Sequence, residues 1–331
     1  VFLPDFRAAE QLQHDLSPFV KNITGRWAGR PHVHKSPAEI VDFVNDVNGI
    51  CGPAHAFTPF KSLFRQGKFR NLKHAYQDNL KHLAFLELGL SADSHLADTM
   101  ACLQNITFLS NSDAHSENPW SLGREFNRIK MEHPNFGNLR NACFRRNQCK
   151  IVLNAGLDPR LGKYYIMFCR KCRRRVELKI NDPFKDQKQN ASDLFGWPTP
   201  EITEDFITYF FNRPKAKLDF LKQVGRGKIE CPACKQLYIQ NKRSKKSKRK
   251  RRKTLPKLKL GVSERIQQIS DWDDPHHPAH RPPYIHLISL VDILRKLHGI
   301  KSKSSKTINR AYTKLIQRYK SEYKLLLDVP I

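Results

Sequence analysis

Two Cys-X-X-Cys pairs constrain this chain more than any other feature of its sequence. Cys169 and Cys172 form the first pair, Cys231 and Cys234 form the second, and 58 residues lie between them. Each pair lets two thiolates reach one ion from a tight turn, and four thiolates complete the tetrahedral shell of a structural Zn²⁺. The spacing therefore predicts that the two segments meet around one zinc ion, in a reducing compartment.

The net charge of +28 restricts the kind of partner. The segment 242–253 alone holds ten Lys and Arg residues, and subtracting them from +28 still leaves +18 on the rest of the chain. Such a charge favours a polyanionic partner, namely DNA, RNA or an acidic membrane face. It argues against a neutral enzyme with a basic tail. Because no apolar run approaches the roughly 20 residues of a membrane helix, we expect no membrane span.

Residues 1–167 alternate apolar runs with helical patterns. The runs at 48–57, 83–91, 105–116 and 149–158 are typical of short buried strands that end in small or polar residues. Between them, Ser36 is a good N-cap for a helix over 37–47. Buried strands separated by helices predict an α/β fold with a parallel sheet or barrel, in which functional groups gather at the carboxyl ends of the strands.

The remainder of the chain divides by composition into three parts. We predict a zinc-binding domain over 168–240 with an insertion at about 181–228, a basic low-complexity linker over 241–258, and a helical DNA-binding domain over 259–331. Within the zinc domain, the aromatic segment 204–213 is interpreted as helical. In the last part, helices are predicted over 261–272, 284–299 and 307–327.

Three side chains at the ends of the first strands can bind metal. Asp113 and His115 follow the run at 105–116, and their spacing of two places both on one side of an extended chain. His55 follows a different strand. A carboxylate together with imidazoles suits Zn²⁺, Mn²⁺ or Fe²⁺ in hydrolysis. The alternative for the Asp-X-His pair alone is a turn-capping aspartate beside a surface histidine.

Several motifs, in this order, resemble the endonuclease Q family, a group of DNA repair nucleases built on a polymerase-and-histidinol-phosphatase (PHP) domain. The motifs are GPAHAFTPF, ELGLSADS, FLSNSDAHS, LGREFNR, GLDPRLGKY and HRPPYIHL. The resemblance covers nearly the whole chain, except for residues 181–228 and the basic segment. It implies a distorted β/α (PHP-type) barrel with a divalent metal cluster, followed by a zinc domain and a helical C-terminal domain.

The resemblance also implies an activity. Members of the family nick DNA on the 5′ side of a deaminated base, such as uracil or hypoxanthine, or at an abasic site. His55, Asp113 and His115 match family metal ligands, and Zn²⁺, Mn²⁺ or Mg²⁺ would occupy them. A flipped base requires a pocket, for which we consider Glu87, Ser91 and Asp93. For phosphate contacts we consider the cationic side chains Arg124, Arg160, Lys163 and Arg281.

The chain also departs from the family. The opening His-X-His of the family and the acids that follow it have no counterpart, and we interpret His32 and His34 as surface or groove residues. We therefore expect the interior of a longer protein, with an N-terminally truncated and partial barrel that is inactive alone. A zinc-stabilised nucleic-acid-binding protein without catalysis is the alternative. A small-molecule phosphatase would need neither the zinc unit nor the charge.

These features lead to expectations about partners and location. We expect a monomer that acts on DNA containing deaminated bases, in the cytoplasm at the nucleoid. Binding of ATP is not expected, because the sequence has no GxxxxGK[ST] phosphate loop.

Overall fold

The computed structural model describes residues 1–20, 31–115, 122–181, 197–244 and 255–327. The helices are α1 (Phe6–Leu16), α2 (Pro37–Asp46), α3 (Leu72–Tyr76), α4 (Ser94–Ala97), α5 (Phe136–Phe144), α6 (Pro214–Gly225), α7 (Pro232–Ser244), α8 (Val262–Ile269), α9 (Leu290–Leu297), α10 (Lys306–Tyr319) and α11 (Glu322–Leu327). The strands are β1 (Leu86–Glu87), β2 (Phe108–Leu109), β3 (Phe126–Lys130), β4 (Lys150–Gly156), β5 (Phe168–Cys169), β6 (Arg175–Ile180), β7 (Glu201–Ile202), β8 (Phe206–Phe211), β9 (Leu258–Lys259) and β10 (Tyr284–His286). The chain is a mixture of helices and sheets, as predicted.

Helix α2 begins where the sequence predicts. The Ser36 hydroxyl accepts the backbone N–H of Glu39, and the Glu39 carboxylate accepts the N–H of Ser36, so two donors that the helix leaves unpaired are satisfied. Val41 and Val44 are buried one turn apart. They belong to the first core, which also contains Phe57, Phe64, Leu86 and Phe108.

The predicted strands form short ladders. Strands β1 and β2 are parallel, with Leu86 opposite Phe108 and Glu87 opposite Leu109. Strand β4 pairs with β3 antiparallel and with β10 parallel. The run at 48–57 makes only an isolated bridge between Phe2 and Ile50. Its backbone nevertheless follows β1, because Cys51 and Pro53 accept N–H groups from Ala84 and Glu87.

A barrel remains a prediction. Over the described ranges the strands form sheets of two, three and five members.

In the same described ranges, no helix has the length and apolar character needed to cross a membrane.

The five-stranded sheet, in the order β7–β8–β6–β5–β9, belongs to the zinc unit. Strand β8 corrects the helical prediction for 204–213. Its residues are mostly aromatic and β-branched, which favours a strand, and its backbone pairs in parallel with β6 and antiparallel with β7. Tyr209 and Phe220 pack together in the second core, the buried apolar cluster of this unit, with Val176 and Ile207.

The domain division stays a prediction, and several described segments pack across its boundaries. Residues 197–228 supply β8 and α6 to the second core, so the described part of the predicted insertion is integral to it. Residues 182–196 and 245–254, which include most of the basic segment, lie outside the described ranges. Strand β9 joins the sheet of the zinc unit, whereas α8 buries Val262, Ile266 and Ile269 in the first core.

The C-terminal segments also differ in detail from their predictions. Only Leu290–Leu297 of the predicted helix over 284–299 is helical, because Tyr284–His286 pairs with β4. The predicted helix over 307–327 is two helices, which are separated at Lys320, a left-handed residue with φ of 70°. The helices α9 and α10 enclose a small apolar cluster around Val291, Leu294 and Ile308.

Candidate active site

His55 lies in a loop that is held by a buried acid. Glu87, at the carboxyl end of β1, accepts the backbone N–H of His55 with one carboxylate oxygen and the N–H of Gly89 with the other, at 2.8 Å. The backbone of His55 is left-handed, with φ of 35°. A Cβ added to Gly89 would lie 3.1 Å from the Cβ of His55, and Gly89 itself has φ of 76°. The close approach and the positive φ together explain the glycine.

One ring nitrogen of His55 is buried in an unusual way. This nitrogen, Nδ1, is buried and has no hydrogen-bond partner among the residues that the structure describes. A buried nitrogen without a partner is costly, and such groups in native structures call for an explanation such as an ion. The atom is therefore available as a ligand for an ion.

Asp113 and His115 follow the carboxyl end of β2. Asp113 is left-handed, with φ of 46°. The Nδ1 of His115 donates to the backbone carbonyl of Asp113 at 2.7 Å. Since a carbonyl can only accept, the proton lies on Nδ1, and the lone pair of the neutral ring lies on Nε2. A backbone carbonyl bonded to the other ring nitrogen is the usual arrangement for a metal-binding histidine.

One groove of about 1510 Å³ contains all three residues. His32 lies in it too, as predicted for a groove residue. Among its described lining residues Asp113 is the sole carboxylate, and the Lys and Arg side chains are Lys35, Lys61, Arg65, Lys68, Lys163, Arg170, Arg173 and Arg175. A single acid among eight cations creates a positive potential that attracts polyanions.

The convergence of the three side chains is limited. In the described residues the only group of three or more His, Cys, Asp or Glu ligand atoms within 4.8 Å of one another is that of the four cysteines. His55, Asp113 and His115 share the groove without forming such a group.

The four cysteines form a compact cluster. The sulfur atoms of Cys169 and Cys234 lie 3.8 Å apart, and those of Cys172 and Cys231 lie 3.7 Å apart. Tetrahedral Zn–S bonds of about 2.3 Å place sulfur atoms about 3.8 Å apart, whereas a disulfide requires about 2.05 Å. The sulfur positions thus fit one four-coordinate zinc ion. Cys169 comes from β5 and Cys234 from α7, so the ion would join the sheet to this helix.

Solved structures and curated sequences resemble the chain. The crystal structure of a lesion-specific endonuclease Q from Pyrococcus furiosus aligns with a TM-score of 0.70 and 30% identity, over 99% of this chain and 64% of that one. A structure of endonuclease Q complexed with a 27-mer duplex substrate, with an abasic lesion at the active site, aligns with a TM-score of 0.71 and 30% identity, over 99% and 65%.

The chain thus resembles endonuclease Q along almost its entire length.

Two curated relatives are uncharacterised proteins. One, from Methanocaldococcus jannaschii, is 30% identical over 288 residues, which are 85% of this chain and 27% of that protein. The other, YqxK of Bacillus subtilis, is 34% identical over 172 residues, or 52% and 43%. The chain thus spans less than half the length of these relatives and about two thirds of the solved endonuclease Q chains. No protein-family model matches it.

The four predicted phosphate contacts have different surroundings in this endonuclease Q relative. Lys163 lines the groove. Arg160 is exposed and forms an ion pair with Asp158 at 2.6 Å. Arg124 donates a hydrogen bond to the buried Glu125 at 2.6 Å. Burial raises the pKa of Glu125 despite this hydrogen bond.

Arg281 differs from the other three because it is buried. Its guanidinium binds both oxygens of Asp98 and the carbonyls of Leu103 and Ile106, and lies 3.5 Å from the ring centroid of Phe108. Its donors are therefore used inside the fold. A contact between this arginine and DNA stays a prediction.

The predicted base pocket also lies inside the fold. Glu87, Ser91 and Asp93 are all buried, and none of them lines the groove. Asp93 caps α4 and contacts His286 at 3.0 Å. Glu87 holds the loop of His55. Glu87 and Asp93 thus hold nearby backbone, and a base pocket at these three residues stays a prediction. The supporting role of Glu87 was missed in the sequence, because its two partners become neighbours only in the fold.

Proposed function

We propose that this chain supplies metal ligands and the DNA-binding groove of a repair endonuclease, which hydrolyses a phosphodiester on the 5′ side of a deaminated base, uracil or hypoxanthine, or of an abasic site. One observation carries the proposal. The sole described carboxylate of the groove, Asp113, lies beside His115 in a groove that eight Lys and Arg side chains also line. Contacts to phosphates call for cations, whereas a carboxylate beside a histidine is a common ligand pair of a hydrolytic metal site.

Three atoms or groups are the proposed ligands for divalent ions. They are the orphaned Nδ1 of His55, the carboxylate of Asp113 and the Nε2 of His115. Bound Zn²⁺, Mn²⁺ or Mg²⁺ would activate a water molecule and neutralise charge on the phosphate. The left-handed backbones of His55 and Asp113 are consistent with this role, because strained conformations cluster at functional sites.

The remaining groove residues bind and orient the substrate. The lysine and arginine side chains that line the groove would contact backbone phosphates without reading the sequence. Phe60, Tyr164 and Phe168 pack edge to face or tilted at 5.1–5.9 Å between ring centroids, and they add an apolar surface to the groove. Such a surface suits an unstacked base. The abasic substrate in the related complex supports this class of substrate.

The decisive test is Asp113→Asn in the longest natural polypeptide that contains this chain. Duplexes carrying uracil, hypoxanthine, an abasic site or no lesion are incubated with Mn²⁺ or Zn²⁺, and nicks are mapped on a sequencing gel. We expect the variant to lose at least about 100-fold in nicking rate, because a ligand is removed, while it keeps its DNA affinity. Asp46→Asn, an exposed residue at the end of α2, is the matched control. Nicking by the Asp113 variant at the parent rate would refute the proposal.

The separation of the three ligands favours a second candidate function, nucleic-acid binding without catalysis. They do not lie within 4.8 Å of one another as the four cysteines do. Elemental analysis distinguishes the two functions. One zinc per chain that is unchanged by His55→Ala supports binding alone, and additional metal that this substitution removes supports the nuclease.

A further inference from the structure

A second pocket adjoins the groove at the junction of the two cores. It has a volume of about 610 Å³ and lies between the loop 57–67, the end of α6 and the connection from β9 to α8. We call it the flank pocket. Its charged lining residues in the described chain are all cations, namely Lys61, Arg65, Arg170, Arg226, Lys259 and Arg265.

Arg265 is the most informative of these cations. It is 9% exposed, and it donates only to backbone carbonyls, those of Phe64 at 2.8 Å and Phe69 at 3.2 Å. Burial lowers its pKa, and the nearby Arg70 adds to this effect. A buried charge normally has an ionic partner, because desolvation costs several kcal/mol. Within the described residues, Arg265 forms no ion pair, whereas the buried Arg281 is neutralised by Asp98.

The flank pocket is continuous with the groove. Phe60, Lys61, Arg65 and Arg170 line both. On the far side Gly227 forms part of the wall, with φ of 65° and no atom within 4 Å of an added Cβ. The backbone there is open, so a ligand can approach it closely. An extended anion in the groove could therefore reach Arg265.

We propose that the flank pocket binds a backbone phosphodiester of the DNA that occupies the groove, at a distance from the bond that is cut. The proposal rests on the proposed function, because it takes DNA as the ligand of the groove. A phosphodiester supplies the anion that Arg265 lacks. The neighbouring phosphates of the same DNA strand would contact the cations that line both pockets. Contacts of this kind position DNA and do not read its sequence.

The test uses cations that line only the flank pocket. Arg226→Gln and Lys259→Gln, singly and together, remove charge while Arg265 stays in place, so the fold is retained. Lys150→Gln, a change at an exposed residue that begins β4 and lines neither pocket, is the matched control. Binding of fluorescein-labelled duplexes, with and without an abasic site, is measured by fluorescence anisotropy. The NaCl concentrations are on the order of 50 to 300 mM, the range in which phosphate contacts make DNA affinity depend steeply on salt.

We expect the slope of log affinity against log salt to fall by about one unit for each removed charge, equally for both duplexes. The control should keep the parent slope. Unchanged slopes in the double variant overturn the inference. A further arm titrates inorganic phosphate and pyrophosphate. If either binds the parent and not the double variant while the DNA slopes stay unchanged, the pocket serves free phosphate and the inference fails.

The failure of this inference is distinguishable from that of the proposed function. If the parent does not nick DNA but the double variant shows a smaller slope of log affinity against log salt, the flank pocket still contacts DNA and only the proposed function fails. If nicking depends on Asp113 but the salt slopes of the double variant equal those of the parent, the proposed function stands and only this inference fails.

Discussion

The carboxylate of Glu87 accepts the backbone N–H of His55, so a buried acid fixes the loop that presents this histidine to the groove. The same carboxylate accepts the N–H of Gly89 at 2.8 Å. Burial raises the pKa of Glu87, and the two backbone donors oppose this effect. Glu87 is therefore a positioning residue. It acts on the proposed metal site through the backbone of its neighbour.

Glu87→Gln should weaken metal binding at His55. The amide keeps one acceptor oxygen and replaces the other with a donor, so one of the two backbone N–H groups loses its partner. We expect Mn²⁺ affinity to fall by about 10- to 100-fold, the usual effect of losing an outer-shell partner, with DNA affinity unchanged. Isothermal titration with Mn²⁺ measures the effect, with the exposed Glu132→Gln as control. Equal Mn²⁺ affinity in the variant and the parent would contradict the positioning role.

Cys231→Ser should remove the structural zinc. The sulfur positions of the cluster fit a tetrahedral ion, and three remaining thiolates bind zinc less tightly. We expect one zinc fewer per chain by mass spectrometry, together with a lower melting temperature, because a bound ion would join β5 to α7. Cys102→Ser, a half-buried thiol outside the cluster, should retain the zinc. Full zinc content in the Cys231 variant would exclude this site.

Arg281→Met should destabilise the fold. It leaves the fully buried Asp98 without its bidentate partner, although His277 still contacts Asp98 at 2.7 Å. Removal of one member of a buried pair costs about 3–5 kcal/mol. Urea denaturation measures the loss, and the double change Asp98→Asn with Arg281→Met should recover part of it. If the single variant keeps its stability and loses DNA affinity, Arg281 contacts DNA after all.

Asp292 should stabilise the C-terminal helices in a pH-dependent manner. Burial alone would raise its pKa, but hydrogen bonds from Lys303, Ser289 and Arg295 outweigh burial, and the pKa is lowered from 3.8. The folded form therefore releases its proton more readily than the unfolded form. The resulting stability is complete above pH 3.8 and is lost as the pH falls through the lowered pKa.

Two measurements check this linkage. The carboxyl carbon of Asp292 should titrate in NMR with a midpoint below 3.8. At pH 7, Asp292→Asn should lower the free energy of unfolding by about 1 kcal/mol, a modest value because the side chain is partly exposed to solvent. Asp219→Asn, which breaks a surface pair with Lys222, should change it less. An Asp292 midpoint at or above the ordinary value would contradict the linkage.

Much of the candidate site was predictable from the sequence. The four cysteines, the Asp-X-His pair and the Ser36 cap all depend on residue type and short spacing, which local geometry translates directly into structure. The placement of His55 in the same groove was expected from strand ends that share one edge, although its run at 48–57 follows β1 without forming a strand of its own. These predictions needed no knowledge of distant neighbours.

Tertiary structure decided what local pattern could not. The segment 206–211 is a strand because β6 and β7 lie beside it to accept its backbone hydrogen bonds. Arg281 and Arg265 are both buried arginines, yet one meets a carboxylate and the other faces a pocket without one. The charge of a side chain is written in the sequence, but its partner is fixed only when distant segments pack together, because desolvation and pairing depend on what the fold places within a few ångströms.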